Sequence, residues 1–310
     1  MTGRPATAVI VLNWNNAPDT LACLESLRAS RAELELIVVD NASTDGSGEV
    51  IARSGLADCV LRNATNAGYA GGNNTGLRHA LNQGFEVIAV LNNDTLVEPD
   101  TFERMSSICA ESTHPVAVSP RITYDAAPED IWFAGGIVDH GMPRHLQVDE
   151  LTGRESGLVA TQLLTGCCIM ATATTWRRVG LFDERYFLIF EDSDWSMRAR
   201  RLGVTLLVDH ESRLRHKVSR SFGNGAMPLL ATYFYTRNGL IYHARYARRY
   251  LPRFVKTRLI RPLVRHTGLP PRSPIFAWWG ACDWILGHRG DAGGLTRRAA
   301  TRLCVDAVGA

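Results

Sequence analysis

Val87-Ile88-Ala89-Val90-Leu91 is a run of five apolar residues that stops abruptly at Asn92-Asn93-Asp94-Thr95. A short, β-branched-rich run without polar alternation leaves no face for water. It therefore reads as a strand buried on both sides, as in parallel sheets. Parallel strands need helical crossovers, and in open sheets of this kind ligands bind just beyond the carboxyl ends of the strands. Asp94 falls at such an end. A carboxylate beside amides suits a hard divalent cation such as Mg²⁺ or Mn²⁺. Asn-Asn-Asp is equally the composition of a turn that caps a following helix.

The same pattern recurs upstream. Residues 7–13 form an apolar run ending in Asn13-Trp14-Asn15-Asn16, with Pro18 and Asp19 opening a helix through Leu27. Leu34 to Val39 is a second run, ending at Asp40. From a strand's carboxyl end Asp40 can accept from a ring N–H or hydroxyls of a nucleoside, while Ser43, Thr44 or Asp45 caps the next helix. A short third strand, Asp58 to Leu61, precedes the stretch Asn63–Gly76, rich in glycine and asparagine. That stretch reads as a loop opening a helix of one to three turns that ends near Gly84. It has neither the Walker lysine nor the glycine spacing of a dinucleotide fingerprint. Its glycines are expected to let the backbone approach a nucleotide. Strands alternating with helices make a doubly wound, mainly parallel α/β sheet the economical topology.

Beyond Asp94, Glu98-Pro99-Asp100 starts a helix through Cys109, and Val116 to Val118 is a strand. Residues 120–157 form a long excursion with hairpins around Trp132–Val138, and functional loops are the commonest reason for such excursions. Leu164 to Ala171 reads as a strand and Thr174 to Val179 as a helix. An aromatic stretch, read as a strand, then leads into Glu191-Asp192-Ser193-Asp194-Trp195, where a helix begins whose later turns carry arginines. That polarity complements the helix dipole, which is a purely structural explanation. The chemical alternative is that one of these carboxylates is a general base. Leu206 to Val208 is a last strand before Arg215-His216-Lys217.

Taken together, these stretches resemble the inverting family 2 glycosyltransferases of GT-A fold, the rhamnosyltransferase-like subgroup most of all. The resemblance runs through Val9–Asn15, Val38–Ser47, Asn66–Gly76, Leu91–Asp94, Thr165–Gly166, Phe182–Arg198 and His216, or about residues 7 to 220. It implies a catalytic domain over residues 1–225, with a nucleotide-sugar half to about 95 and an acceptor half after it. Asp40 would contact the nucleobase or ribose, and Asn66, Gly68 and Asn73 would line the donor pocket, with Asn13, Asn92, Asn93, Glu191 and Trp195 also among the substrate contacts. Asp94 would be the metal-binding end of the family's D-x-D element, whose first acid is here Asn92. Asp192 would be the catalytic base, with Glu191 and Asp194 as rivals, and His216 a second contact to the Mg²⁺ or Mn²⁺ or to diphosphate. The expected reaction moves a sugar, L-rhamnose from dTDP-rhamnose being the first choice, onto an acceptor hydroxyl of a polyprenyl-diphosphate-linked saccharide. A soluble natural-product acceptor, or a nucleotide-sugar-binding protein without activity, are the alternatives.

Residues 226–310 differ in character. Arg245, Arg248, Arg249, Arg253, Lys256, Arg258, Arg261 and Arg265 interleave with Tyr242, Tyr246, Tyr250, Phe254 and Leu259, and Ile275–Leu286 is an apolar stretch too short to span a bilayer. Basic, aromatic helices suit an anionic membrane surface, helix packing or a homodimer contact. No nucleic-acid-binding module accompanies them. Seven scattered cysteines without a C-x-x-C pair, and an N-terminus lacking a basic and then apolar leader, lead one to expect a reducing, cytoplasmic setting, at most peripheral to the membrane's inner face.

Overall fold

The computed structural model describes residues 7–151, 156–218, 227–261 and 273–292. In chain order its first half contains β1 (Thr7–Asn13), α1 (Ala17–Arg28), β2 (Leu34–Asp40), α2 (Ser47–Ser54), β3 (Cys59–Arg62), α3 (Gly68–Gln83), β4 (Val87–Asn92), β5 (Thr95–Val97) and α4 (Thr101–Glu111). Then come β6 (Val116–Tyr124), β7 (Ile131–Phe133), β8 (Gly136–Asp139), β9 (Met142–His145), β10 (Leu158–Ala160), β11 (Cys168–Thr172), α5 (Ala173–Val179), α6 (Glu191–Arg201) and β12 (Thr205–His216). The C-terminal helices are α7 (Met227–Tyr246), α8 (Leu251–Val255) and α9 (Ser273–Ile285).

The parallel nucleus of the sheet runs β3-β2-β1-β4. Beyond it β11 enters antiparallel between β4 and β6, and β12 lies parallel to β6. Alternate residues of the nucleus go to opposite faces, as the two-residue strand period requires. Val9, Val11, Leu36, Val38, Ala89 and Leu91 meet Leu24 of α1 and Phe102 and Met105 of α4. Ile10, Ile37, Val39, Ile88 and Val90 meet Leu77 of α3, Trp176 of α5 and Trp195 of α6. Both faces being dry explains why these strands carry no polar alternation.

The glycine-rich stretch is a helix rather than a loop: α3 starts at Gly68 and runs sixteen residues to a left-handed cap at Gly84. Two of its glycines serve packing against β1. A Cβ on Gly72 would overlap Leu12, and one on Gly76 would overlap Ile10 Cγ2. The aromatic stretch before α6 is no strand either, since Phe187, Ile189 and Phe190 have φ of +63°, +71° and +77°. The strand expected at Leu206–Val208 extends to His216, and its polar second half is held by partners on both sides, β5 and β6. Cys167 and Cys168 are buried free thiols, and burial pushes the nearby Cys23 and Cys109 thiols up to about 12. Cys304 and Arg265 lie outside the described residues.

The chain divides into two compact units. The first comprises the described parts of 7–138, 143–183 and 192–218. The second takes in 139–142, 184–191, 227–261 and 273–292. The second has its own core, in which Tyr233, Phe234 and Leu230 of α7 meet Phe187 and Phe276. In a neighbouring cluster Leu240 meets Phe254, Ala277 and Ala281. Among the described residues no helix is long and apolar enough to cross a membrane.

Gly76→Ala decides between helix propensity and packing. Alanine would gain about 1 kcal/mol in an exposed helix, but here its methyl must enter an occupied layer, costing about 1–3 kcal/mol. Denaturant unfolding should find the variant less stable than the wild-type chain.

Candidate active site

Asn13 and Asp40 are neighbours across the β1–β2 ladder, opposite each other at the carboxyl ends of both strands. Asn13 is fully buried, and its Nδ2 donates to Asp40 Oδ1 (3.1 Å), Ser43 Oγ (3.1 Å) and Ser47 Oγ (2.9 Å), while its Oδ1 accepts from Thr20 Oγ. Asn13 is thus an internal strut that orients Asp40, which corrects its expected place among the substrate contacts. Asp40 lies against the start of α2, where a Cβ on Gly48 would come within 2.5 Å of Oδ2. A carboxylate there is favoured by the helix dipole. Asp45 Oδ1 accepts from Ser47 N at 2.9 Å in a turn just ahead of α2, but the helix's N-cap is Gly46, without a side-chain cap bond, so none of Ser43, Thr44 and Asp45 is the cap expected there.

The turn into α3 is organised by Asn41, which the sequence did not single out. Its Nδ2 donates to Asn66 Oδ1 and Gly68 O, and its Oδ1 accepts from Asn63 Nδ2 and Ala67 N. Asn66 also accepts from Gly68 N, and Gly68 has φ +72°, which its lack of a side chain permits. Asn73 is buried within α3; its Nδ2 donates to Tyr69 O and its Oδ1 has no partner among the described residues. Asn74, also unforeseen, pairs both amide atoms with the backbone of Phe182.

Asp94 and His216 are 122 residues apart in sequence, yet His216 Nε2 lies 3.1 Å from Asp94 Oδ1. The antiparallel β5–β12 pairing does this, because it sets Thr95 opposite His216. Lys217 N donates to Asp94 O at 2.9 Å and Lys217 Nζ to Asp19 at 2.7 Å, so cationic charge stands at the same corner. Asn92 and Asn93 are half-buried beside it, with Asn93 Nδ2 bonded to Thr20 Oγ. Asn-Asn-Asp therefore opens a short β turn into β5 and caps no helix. Two ligand atoms at right angles around a cation of ~2.1 Å bond length stand about 3 Å apart, so the pair fits Mg²⁺ or Mn²⁺. Among the described residues no cluster of three or more His, Cys, Asp or Glu could hold a metal. Two protein ligands are enough where phosphate oxygens and water complete the shell.

The long excursion packs on this pair. The Trp132 ring stands nearly perpendicular to those of His216 and His145, at 4.5 and 4.9 Å between ring centroids. His145 Nδ1 donates to Trp132 O at 3.0 Å, leaving Nε2 as the acceptor of the neutral ring. Burial holds its pKa below the ordinary value; the bond to Trp132 and the charge of Asp192 pull upward, and His216 adds to the depression. His145 was not among the expected site residues, although the excursion that carries it was.

Of the three carboxylates that open α6, Asp194 is fully buried and ion-paired to Arg198 Nε at 2.8 Å, which removes it as a base. Glu191 is only 6% exposed, whereas Asp192 is half-buried. Asp192 Oδ2 accepts from Gly166 N (2.9 Å), and its Oδ1 from Ser193 N and Oγ. Gly166 is held in turn by Tyr69, whose hydroxyl donates to Gly166 O. Trp195 corrects a second expectation. It is fully buried against Trp176, with its indole N–H on Gly180 O, and belongs to the core rather than to a substrate pocket.

The family model described as Glycosyl transferase family 2 matches residues 8–171. The low-salt glycan biosynthesis hexosyltransferase Agl10 of Haloferax volcanii is 25% identical over 209 residues, which is 64% of this chain and 63% of that protein. In fold the chain is similar to GalNAc-T7 with UDP, GalNAc and Mn²⁺, at a TM-score of 0.56 and 15% identity, covering 93% of this chain and 59% of that one. It is likewise similar to the mannosyltransferase PcManGT from Pyrobaculum calidifontis in complex with GDP-Man and Mn²⁺, at a TM-score of 0.56 and 18% identity, covering 96% and 80%.

The depressed pKa of His145 has a measurable sign. The unfolded chain, with histidine near 6.5, binds the proton first as pH falls, so stability drops below about pH 6.5. His243, depressed by its own burial, acts in the same direction. Urea unfolding at pH 7.5 and 5.5 should give a smaller loss of stability for His145→Gln than for the wild-type chain.

Proposed function

The chain belongs to glycosyl transferase family 2 and has that family's GT-A fold, and from this premise we propose that it moves a hexose from a nucleoside diphosphate to an acceptor hydroxyl with inversion. The observation that carries the reading is the Asp94–His216 pair at the carboxyl end of the sheet, assembled from distant segments beside Lys217. Asp40, oriented by Asn13, receives the nucleoside. Asp94 and His216 would hold the divalent cation, which when bound supplies a Lewis acid to the leaving diphosphate. Asp192, half-buried and fixed by the amides of Gly166 and Ser193, takes the proton of the acceptor hydroxyl as that oxygen attacks the anomeric carbon. With one base and no second carboxylate required as nucleophile, a single displacement is the simplest mechanism. The bond from the anomeric carbon to the diphosphate breaks as the new glycosidic bond forms.

For the donor, dTDP-rhamnose remains our first choice from the rhamnosyltransferase-like pattern of motifs. Mn²⁺ is favoured as the cation because similar chains of this fold are described with it. For the acceptor we favour a lipid-linked saccharide, on an observation in the second unit. α9 is apolar at most of its positions: Phe276, Ala277, Gly280 and Ala281 are buried, while Ile275, Trp278, Trp279 and Ile285, with Leu286 just beyond its end, are 36–73% exposed. The chain has no acidic residue between Glu211 and Asp283, and Arg248, Arg249, Arg253, Lys256 and Arg261 are exposed. An exposed apolar stripe on a basic unit suits an anionic bilayer surface.

Two measurements test this. Asp192→Asn should lower nucleoside diphosphate release from dTDP-rhamnose or UDP-sugars, in the presence of a polyprenyl-lipid extract, by at least about 10²-fold while donor affinity stays within a factor of a few. Loss of donor affinity as well would move Asp192 from the chemistry to the donor site. The wild-type chain should sediment with phosphatidylglycerol vesicles at low salt, and Trp278→Ala/Trp279→Ala should not. No sedimentation at low salt would remove the membrane reading.

A further inference from the structure

The backbone just before Asp192 is unusual. Phe187, Ile189 and Phe190 all lie at left-handed φ, a region that bulky and β-branched residues avoid. Such conformations persist only where surrounding contacts over-determine them, and they gather at functional sites. Here the contacts come from two adjacent side chains of α7. Asn238 Nδ2 lies 2.7 Å from Tyr186 O, 2.7 Å from Leu188 O and 2.9 Å from Ile189 O, so its two N–H groups are shared among three carbonyls. Arg237 Nη2 donates to Arg185 O (3.2 Å) and Tyr186 O (3.1 Å). Arg237 Nε also donates to Asn238 Oδ1 (3.0 Å), which fixes the amide with its N–H groups toward the carbonyls.

Both side chains are fully buried, and the clamp is itself anchored. The Arg237 guanidinium lies against the rings of Tyr233 and Phe234, 5.3 and 5.1 Å from their centroids, and the Tyr233 hydroxyl donates to Asp283 of α9. Phe187 stacks on Phe234 at 5.2 Å, and Phe190 meets Tyr235 and Tyr242. α9 approaches so closely that a Cβ on Gly280 would fall 2.6 Å from Tyr233 O. An arginine and an asparagine are expensive to bury, and a short apolar packing contact would hold an ordinary loop without them. Five hydrogen bonds spent on the backbone of one six-residue segment mark its conformation as the thing being held.

We propose that Arg237 and Asn238 are positioning residues for the proton-accepting carboxylate: they hold residues 185–190 in the strained form from which α6 starts, and so fix the first turn that carries Glu191 and Asp192. The inference rests on Asp192 as the base. Without the clamp the strained residues relax toward ordinary φ, and the first turn of α6 loses its fixed start. A displacement of about 1 Å at a reacting group costs on the order of 10²-fold in rate.

The test uses the full chain with dTDP-rhamnose or, failing that, the UDP-sugar that is turned over, and a polyprenyl-lipid extract. Asn238→Ala should lower kcat about 10–10²-fold with donor KM nearly unchanged. Arg237→Lys, which retains the charge but not the forked contact, should give a smaller loss of the same kind and covers the case in which Asn238→Ala does not fold. In the Asp192→Asn background, adding Asn238→Ala should cost little more, because the group it positions is already gone. A purely structural clamp would instead lower the melting temperature and leave kcat of the folded fraction at the wild-type value, and that result would overturn the proposal. Full additivity of the two substitutions would overturn it too. If Asp192→Asn alone leaves turnover intact, the base assignment fails first, and that outcome is distinguishable from failure of the clamp.

Discussion

The site depends on one strand pairing. β12 runs parallel to β6 and then, beyond an irregularity between Asp209 and Arg213, takes β5 as an antiparallel neighbour. That second pairing ties the turn after β4 to the end of the last strand, and it is what makes Asp94 and His216 a pair. Three ladder positions, Thr95, Leu96 and Val97 opposite His216, Arg215 and Leu214, fix the register. A slip of one residue would send His216 to the other face. Thr95 is also locked from below, where its hydroxyl donates to Asn92 O, so the turn is closed on itself before the partner strand arrives.

Around that pair the molecule uses amides where a simpler reading would look for ligands. Asn13, Asn41 and Asn74 each satisfy several buried groups at once, and each joins segments distant in sequence. A buried polar hub costs free energy unless all its partners are in place, so it specifies one arrangement rather than adding much stability. The strained stretch before α6 follows the same logic. Left-handed φ at three bulky residues costs of order 1–3 kcal/mol each, offset by the packing and hydrogen bonds of α7.

The strands of the nucleus were legible because burial on both faces writes an uninterrupted apolar run, as at Val9–Leu12 and Ile37–Val39. The places of Asp40 and Asp94 at strand ends were legible because the apolar runs stop there. What the sequence concealed has physical reasons. Gly72 and Gly76 look like loop residues, yet they are glycines because α3 lies too close to β1 for a side chain. The second half of β12 is charged and alternating, and only its neighbours on both sides show it to be strand. Trp195 and Asp194 stand in a motif-rich stretch but point into the core, since a helix that begins at a site must turn most of its residues away from it. His145 could not be found from its neighbours in sequence, because what brings it to His216 is the side chain of Trp132.

The central claim is that Asp94 and His216 together make a cation-dependent site for a nucleoside diphosphate. The most direct measurement is the thermal stability of the chain with UDP- and dTDP-sugars, each with and without Mn²⁺, for the wild-type protein and for His216→Ala. A ligand at a hundred times its Kd adds about 2.7 kcal/mol, readily seen as a shift in Tm. The account predicts a shift that needs both nucleotide and Mn²⁺ and that His216→Ala abolishes. A shift of equal size without Mn²⁺, or one that His216→Ala leaves intact, would contradict it.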